Sequence, residues 1–225
     1  LEACIAGRDG LDTLSRERVR SELLKLLVAR GAPEAAAIMS DTGLLVRILG
    51  GVPLVYSLSL MAAIERELGF EPDALRRLGA IGVLVPEDAE RLFQRLRLSN
   101  AEFQRLSSMA DGWWRVTRLM SERDARATLY RAGPQAFTDR VCVAFSRAQE
   151  TVCEAAWQSL SRFSQQWVAP KFPIAAADFV ALGVAKGPAL GAALRKAEED
   201  WIGADFPSDP SAIANIIRRI SGAVP

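Results

Sequence analysis

The chain has 225 residues, half of them hydrophobic and 24% charged, with a formal net charge of +1 and no histidine. That length supports one sizeable core or two smaller ones. The missing histidine excludes a Ser-His-Asp or Cys-His nucleophilic centre and any histidine-ligated metal.

Apolar residues recur at intervals of three to four along nearly the whole chain, and Val/Ile/Thr runs of strand length are almost absent. The predicted fold class is therefore all-α: an elongated bundle or array of roughly ten helices, without a sheet. Ser15 is placed to cap the first helix, in which Val19, Leu23, Leu26 and Leu27 share a face. Gly31 ends it, and Pro33 suits the first turn of the next. Asp41-Thr42-Gly43 reads as a turn before Leu44-Leu45-Val46. A longer helix is expected from Pro53 to about Leu68, with Gly69 as its stop, and shorter ones over Pro72–Leu78 and Pro86–Arg97.

Ser99 with Glu102, and Ser121 with Asp124, have capping-box spacing and open helices near Asn100–Ala110 and Glu122–Arg131. A strongly helical stretch follows from Pro134 to Val168, with room for one break. Pro170 and Pro173 then mark a boundary before a terminal unit, Phe172–Pro225. Within that unit helices are predicted over Ala175–Leu182, Pro188–Trp201 and Pro210–Ile220, the last capped by Asp209. No segment reads as a signal peptide, and no apolar run reaches the ~18 residues needed to cross a bilayer. Cys4, Cys142 and Cys153 lie in apolar surroundings without CxxC spacing. Free buried thiols in a reducing compartment fit this pattern, and a cytoplasmic location without a membrane partner is expected.

Three constellations carry what chemistry the sequence offers. Glu17, Arg18 and Glu22 lie on the first helix, with Arg18 and Glu22 at i,i+4 spacing. They read either as a solvated face with one ion pair or as a charged hinge against a neighbouring domain. Gly183, Gly187 and Gly191 match neither GxGxxG nor a P-loop. Pro188 opens a helix whose free N–H groups face Lys186 and Gly187, an end able to hold a phosphate; tight packing of small residues is the other reading. Third, nine arginines stand against four carboxylates between Arg91 and Arg131. Arg91 and Arg95 are one helical turn apart, Arg97 and Arg105 follow, and Arg115 and Arg118 come just after the pair Trp113-Trp114. Phosphate contacts combined with aromatic stacking suit RNA, although paired tryptophans in helical proteins are also ordinary core residues.

The segment Leu14–Leu27, LSRERVRSELLKLL, resembles the LSxERIxxELxKLL motif of the bacterial class II tRNA nucleotidyltransferase (CCA-adding) and poly(A) polymerase family. It matches at Leu14, Ser15, Glu17, Arg18, Glu22, Leu23, Lys25, Leu26 and Leu27, with Val19 in place of Ile. Ile38–Leu45 resembles the family's MxxTGLL element, which there continues into LPE and here into Ile48-Leu49-Gly50-Gly51. Towards the end, Phe179–Val184, Gly187–Gly191 and Glu198–Ile202 resemble the family's ALGVxxGPxxGxxLxxxExxWI pattern, with its Gly-Arg-Asp kept only as Ala176-Ala177-Asp178.

The resemblance implies the end of a neck with an RNA-binding-type helical motif at 1–50, a helical body at 51–170 and a helical tail at 171–225. It implies that Ser15, Glu17, Arg18 and Glu22 brace the neck. The RNA-binding set would be Arg91, Arg95, Arg97, Arg105, Arg115, Arg118, Lys186, Gly187 and Gly191. The partners would be a tRNA or other RNA 3′ end and the protein's own catalytic head, in which Mg2+ and CTP or ATP bind. Neither the glycine loop nor the paired aspartates of such a head occur in this sequence. Asp111, Asp124 and Asp139 lack Asp-x-Asp spacing, so this chain alone is expected to hold no cofactor and to turn over nothing. The opening Leu1-Glu2-Ala3-Cys4, without a Met, reads as the middle of a longer polypeptide. The alternative is a helical protein–protein interaction module with no nucleic acid role. A continuous stripe of arginines favours RNA, whereas scattered ion-paired positions favour the module.

Overall fold

The computed structural model describes residues 2–148, 150 and 152–222, the side chains of Ala3 and Cys4 excepted. Of the thiols expected to be buried, Cys142 is buried and Cys153 is exposed, while the Cys4 side chain lies outside the described residues. Among these the chain is all-helical, with no strand. The α-helices are α1 (Glu2–Ala6), α2 (Arg16–Val28), α3 (Ala32–Asp41), α4 (Leu44–Leu49), α5 (Val55–Leu68), α6 (Ala74–Gly82) and α7 (Pro86–Leu96). They continue with α8 (Asn100–Gly112), α9 (Glu122–Ala132), α10 (Pro134–Phe145), α11 (Ala155–Gln166), α12 (Ala176–Val180), α13 (Pro188–Gly203) and α14 (Pro210–Ser221). Short 3-10 turns occupy Arg8–Thr13 and Trp113–Arg115.

The helix starts follow local capping chemistry. Ser15 Oγ accepts from Arg18 N at 3.2 Å, Asp73 from Leu75 N and Arg76 N, and Asp209 from Ala212 N at 2.9 Å. At α8 the box is reciprocal. Ser99 Oγ accepts from Glu102 N at 3.3 Å, while Glu102 Oε2 accepts from Ser99 N at 2.6 Å. Gly43, Gly50 and Gly69, all near φ +70°, supply the left-handed positions that separate α3, α4 and α5 and stop α5. The stretch expected to be helical from Pro134 to Val168 breaks between Phe145 and Ala155.

Two compact units result. The first comprises Leu1–Met120 and Pro134–Ser164, the second Ser121–Gly133 and Gln165–Pro225. This division is discontinuous, unlike the consecutive segments read from the sequence, because α9 belongs with the terminal helices. Ala127 and Tyr130 on α9 pack on a core of Phe179, Ala193, Ala197, Trp201 and Ile216. Tyr130 Oη donates to Glu198 at 2.6 Å, and Arg126 pairs with Asp205 at 2.6 Å. In the first unit Leu27, Leu45, Leu58, Met61, Ile64, Leu78, Leu92, Leu106 and Phe137 are buried. There α6 is central, with α2, α5, α8 and α10 against it. Gly79 of α6 lets α8 approach, since a Cβ there would lie 2.5 Å from Met109 Sδ.

Candidate nucleic-acid interface

The arginines of the basic region fall into two classes. The inner class is bonded to the protein itself. On α7, Arg91 reaches Leu49 O at 3.2 Å and Gly82 O at 3.3 Å and pairs with Asp88. Arg95, one turn on, donates to Ile48 O at 3.3 Å and to Arg47 O. Both guanidiniums therefore cover the carbonyl end of α4, whose last C=O groups lack helical partners and carry the negative end of the helix dipole. Gly50 and Gly51 make this possible: a Cβ on Gly50 would lie 2.4 Å from Arg95 Cδ, and one on Gly51 2.6 Å from Arg91 Nη2. The glycines that depart from the LPE of the resembling motif are thus the clearance for two arginines.

Arg105, on α8, is bonded most deeply. It pairs with Asp139 at 2.6 Å and with Asp73 at 2.7 Å. Asp139 also accepts from Arg76 Nε at 2.9 Å, Arg76 meets Glu65 at 3.3 Å, and Arg77 joins Glu65 at 2.7 Å and Leu27 O at 2.7 Å. Three arginines and three carboxylates thus form a neutral, largely buried cluster tying α2, α5, α6, α8 and α10 together. Burial pushes the Glu65 carboxyl above its ordinary range despite Arg77 and Arg76. At Asp73 burial is outweighed by Arg105 and the Arg76 N–H, and the carboxyl lies low. Sequence reading did not find this network. Its signal was Arg76-Arg77 inside the otherwise apolar and small ALRRLGAIG of α6.

The outer class, unlike the inner one, makes no side-chain bond to a backbone carbonyl or buried carboxylate among the described residues, although Arg95 of the inner class is also exposed. Arg97, in the left-handed conformation at the end of α7 (φ 52°), is exposed, and its side chain has no hydrogen-bond or ion-pair partner among the described residues. Arg118 pairs with Glu150 at 3.2 Å yet stays 49% exposed. Arg115 stacks on Trp114 with its guanidinium 4.6 Å from the ring centroid. In the second unit Lys186, Gly187 and Gly191 lie at the start of α13, with Lys186 and Gly187 exposed and Gly191 half-buried. Gly187 takes φ 120°, a conformation closed to other residues, and its missing side chain faces open space.

On α2, Ser15 is the cap, and Glu17, Arg18 and Glu22 are exposed. Glu22 pairs with Lys25 at 3.0 Å, not with Arg18 as the i,i+4 spacing predicts. Arg18 and Glu22 rim an apolar cleft of about 150 Å³ lined by Leu11, Leu14, Val19, Met39 and Ile48 among others.

The carboxylates do not fit a two-metal centre. Asp139 is enclosed by Arg76, Arg105 and Gln135, and Asp124 is tied to Ser121. Among the described residues no three acidic, thiol or imidazole groups gather at metal-binding spacing. Nor is any described helix long and apolar enough to cross a membrane.

No protein-family profile matches the chain. The chain is distantly similar to a CCA-adding enzyme of Limosilactobacillus fermentum, 27% identical over 190 residues that cover 82% of this chain. The match spans 45% of that protein's length.

Proposed function

We propose that this chain is the C-terminal helical region of a cytoplasmic tRNA nucleotidyltransferase or poly(A) polymerase. In this reading it holds the 3′ end of a tRNA or other RNA for CMP or AMP addition by a catalytic head that binds Mg2+ with CTP or ATP. The observation that carries the reading is the similarity across 82% of the chain to less than half of a CCA-adding enzyme. The all-helical fold agrees with a positioning part, one that lowers the freedom of the reacting 3′-hydroxyl. Ser15, Glu17, Arg18 and Glu22 would brace the neck beside the apolar cleft. Arg97, Arg115, Arg118 and Lys186 would face phosphates, while Arg91, Arg95 and Arg105 would keep the helices in place.

The test is a titration of the chain with intact tRNA at two salt concentrations, with duplex DNA as control. Saturable, tRNA-preferring binding is expected. With three to four phosphate contacts, log K should fall with log[salt] at a slope of roughly −2 to −4. Arg97→Glu and Arg118→Glu should weaken binding without unfolding the chain. No saturable binding at ~50 mM salt would overturn the reading. One observation favours the second reading, a helical protein-interaction module: Arg91, Arg95 and Arg105 are bonded inward, so the basic region is not a continuous stripe.

A further inference from the structure

The tandem tryptophans are divided by the 3-10 turn that ends α8. Trp113 turns inward and is half-buried. Its Nε1–H donates to Leu84 O at 2.9 Å, and the Arg147 guanidinium lies 4.3 Å from its ring centroid. Arg147 is itself anchored through Nη2 to Gly79 O and Val83 O. Trp113 is therefore a structural residue that fixes the turn against the α6–α7 connection.

Trp114 turns outward. It is 57% exposed and donates no hydrogen bond among the described residues. The described group over its ring is the guanidinium of Arg115. An indole left this open contributes little to the core, and its hydration is unfavourable. With that guanidinium over the ring, Trp114 still keeps more than half of its surface in solvent. Leu119, 81% exposed, follows five residues on.

The surroundings are positive. Arg115, Arg118 and Arg140 stand against Asp111 and Glu150, an excess of one charge, with Arg147 set against Trp113 and opposed by Asp88. Arg140 is held by Ser108 O at 2.8 Å and Ser108 Oγ at 3.0 Å. Burial lowers its pKa, and the charge of Arg115 adds to that despite Asp111, so the two guanidiniums feel each other. Like charges held together with incomplete neutralisation favour an anionic occupant.

We propose that Trp114 is a stacking platform for an unpaired base of a bound RNA strand, with Arg115 and Arg118 taking the adjoining phosphates. This rests on the RNA-binding reading above and narrows it to a strand with free base faces. A duplex keeps its base faces inside the stack and offers nothing to an indole plane, whereas every unpaired base has a face to give. The Arg115–Trp114–base arrangement would add a cation–π contact on the side away from the base.

The experiment uses the full 225-residue chain and two fluorescein-labelled probes. One is a single-stranded oligoadenylate of about ten nucleotides, a length within the usual site sizes; the other is a blunt RNA duplex of the same length. Trp114→Ala should weaken oligoadenylate binding roughly 5- to 150-fold, the range for loss of one base–aromatic stack, and leave duplex binding unchanged. Trp114→Phe should retain most of the affinity. The indole emission lost on adding oligoadenylate to the wild type should be absent in Trp114→Phe. Because the ring lies outside the core, both variants should melt with the wild type, which circular dichroism checks. Equal oligoadenylate affinity for the wild type and Trp114→Ala overturns the platform, as does equal weakening on both probes. A wild type that binds tRNA but not oligoadenylate overturns the platform alone. A wild type that binds no RNA overturns the RNA-binding reading with it.

Discussion

Replacing Asp139 with Ala tests the buried cluster most directly. Asp139 has no exposed surface. It accepts from Arg76 Nε at 2.9 Å, from Arg105 Nε at 2.6 Å and Nη2 at 3.0 Å, and from Gln135 Nε2 at 3.2 Å. The substitution changes a neutral set of three arginines and three carboxylates into one carrying a single positive charge away from water. Removing one partner of a buried ion pair typically costs about 3–5 kcal/mol, because the remaining charge loses its compensation. Two features place this case in the lower half of that range. Arg105 keeps Asp73 at 2.7 Å, and its side chain is 21% exposed, so water relieves part of the excess charge. The expected loss is then ~3–4 kcal/mol, which for a unit of this size lowers the melting temperature by roughly 6–16 °C.

Urea denaturation followed by circular dichroism reads the effect, and it should appear in the transition of the first unit only. Asp139→Asn retains one carbonyl acceptor and should cost less than Asp139→Ala. Combining Asp139→Ala with Arg105→Met should cost less than the two changes separately, by about 0.5–3 kcal/mol, since the double variant restores neutrality. A loss below ~1 kcal/mol for Asp139→Ala, or strict additivity in the double variant, would mean that the cluster does not hold these helices together.

Two further outcomes follow from shifted ionisations. Asp73 and Asp88 are held low. At Asp88 the N–H groups of Leu84 and Val85, with Arg91, outweigh burial. A carboxyl lowered on folding leaves the unfolded chain binding more protons, so its stabilisation is present above the unfolded pKa near 3.8 and is lost as pH falls below it. Glu65, raised by burial, acts in the opposite sense and loses stabilisation as pH rises through its range. The melting temperature should therefore drop as pH falls below about 4, and Asp88→Asn should flatten that slope; an unchanged slope would refute the assignment. The Cys142 thiol is fully buried and is pushed up to about 12 by burial. In a Cys4→Ser, Cys153→Ser background it should stay inert to a thiol reagent at neutral pH and react completely in urea. Rapid labelling of the native chain would contradict its enclosure.

Four helix starts were legible because caps are local, whereas the helix expected over Pro72–Leu78 runs Ala74–Gly82. Ser15, Ser99 with Glu102, Ser121 and Asp209 act within four residues of themselves, and each helix begins where its cap stands. What local pattern does not encode is the partner. Ala125, Leu129 and Tyr130 state that one face of α9 is buried, but not that it is buried against Trp201 of the second unit. The break after Phe145 carries no proline or glycine, so periodicity continued through it. The Gly50-Gly51 departure was visible, but its reason was not, since the arginines that need the space lie some forty residues away. Likewise, Trp113-Trp114 reads as one feature, and the turn gives its two rings different environments.

The arginine count shows why charge bookkeeping along a sequence overestimates a polyanion surface in this chain. A guanidinium has five donors in a fixed fork, which serves helix-end carbonyls and buried carboxylates as readily as phosphates. Arg91 and Arg95 take the first use and Arg105 the second. Within the Arg91–Arg118 stretch, the arginines left without a backbone carbonyl or buried carboxylate partner among the described residues are Arg97, Arg115 and Arg118, beside one open indole, on a chain whose net charge is +1. A field that weak does not gather RNA from a distance, because long-range attraction scales with net charge and is screened within ~10 Å at moderate salt. In the proposed RNA reading, affinity in this unit would rest on short-range contact at Arg97, Arg115 and Arg118 and on stacking at Trp114. Such contact falls off more gently with salt than a broad basic stripe, and it depends on whether the strand offers an unpaired base.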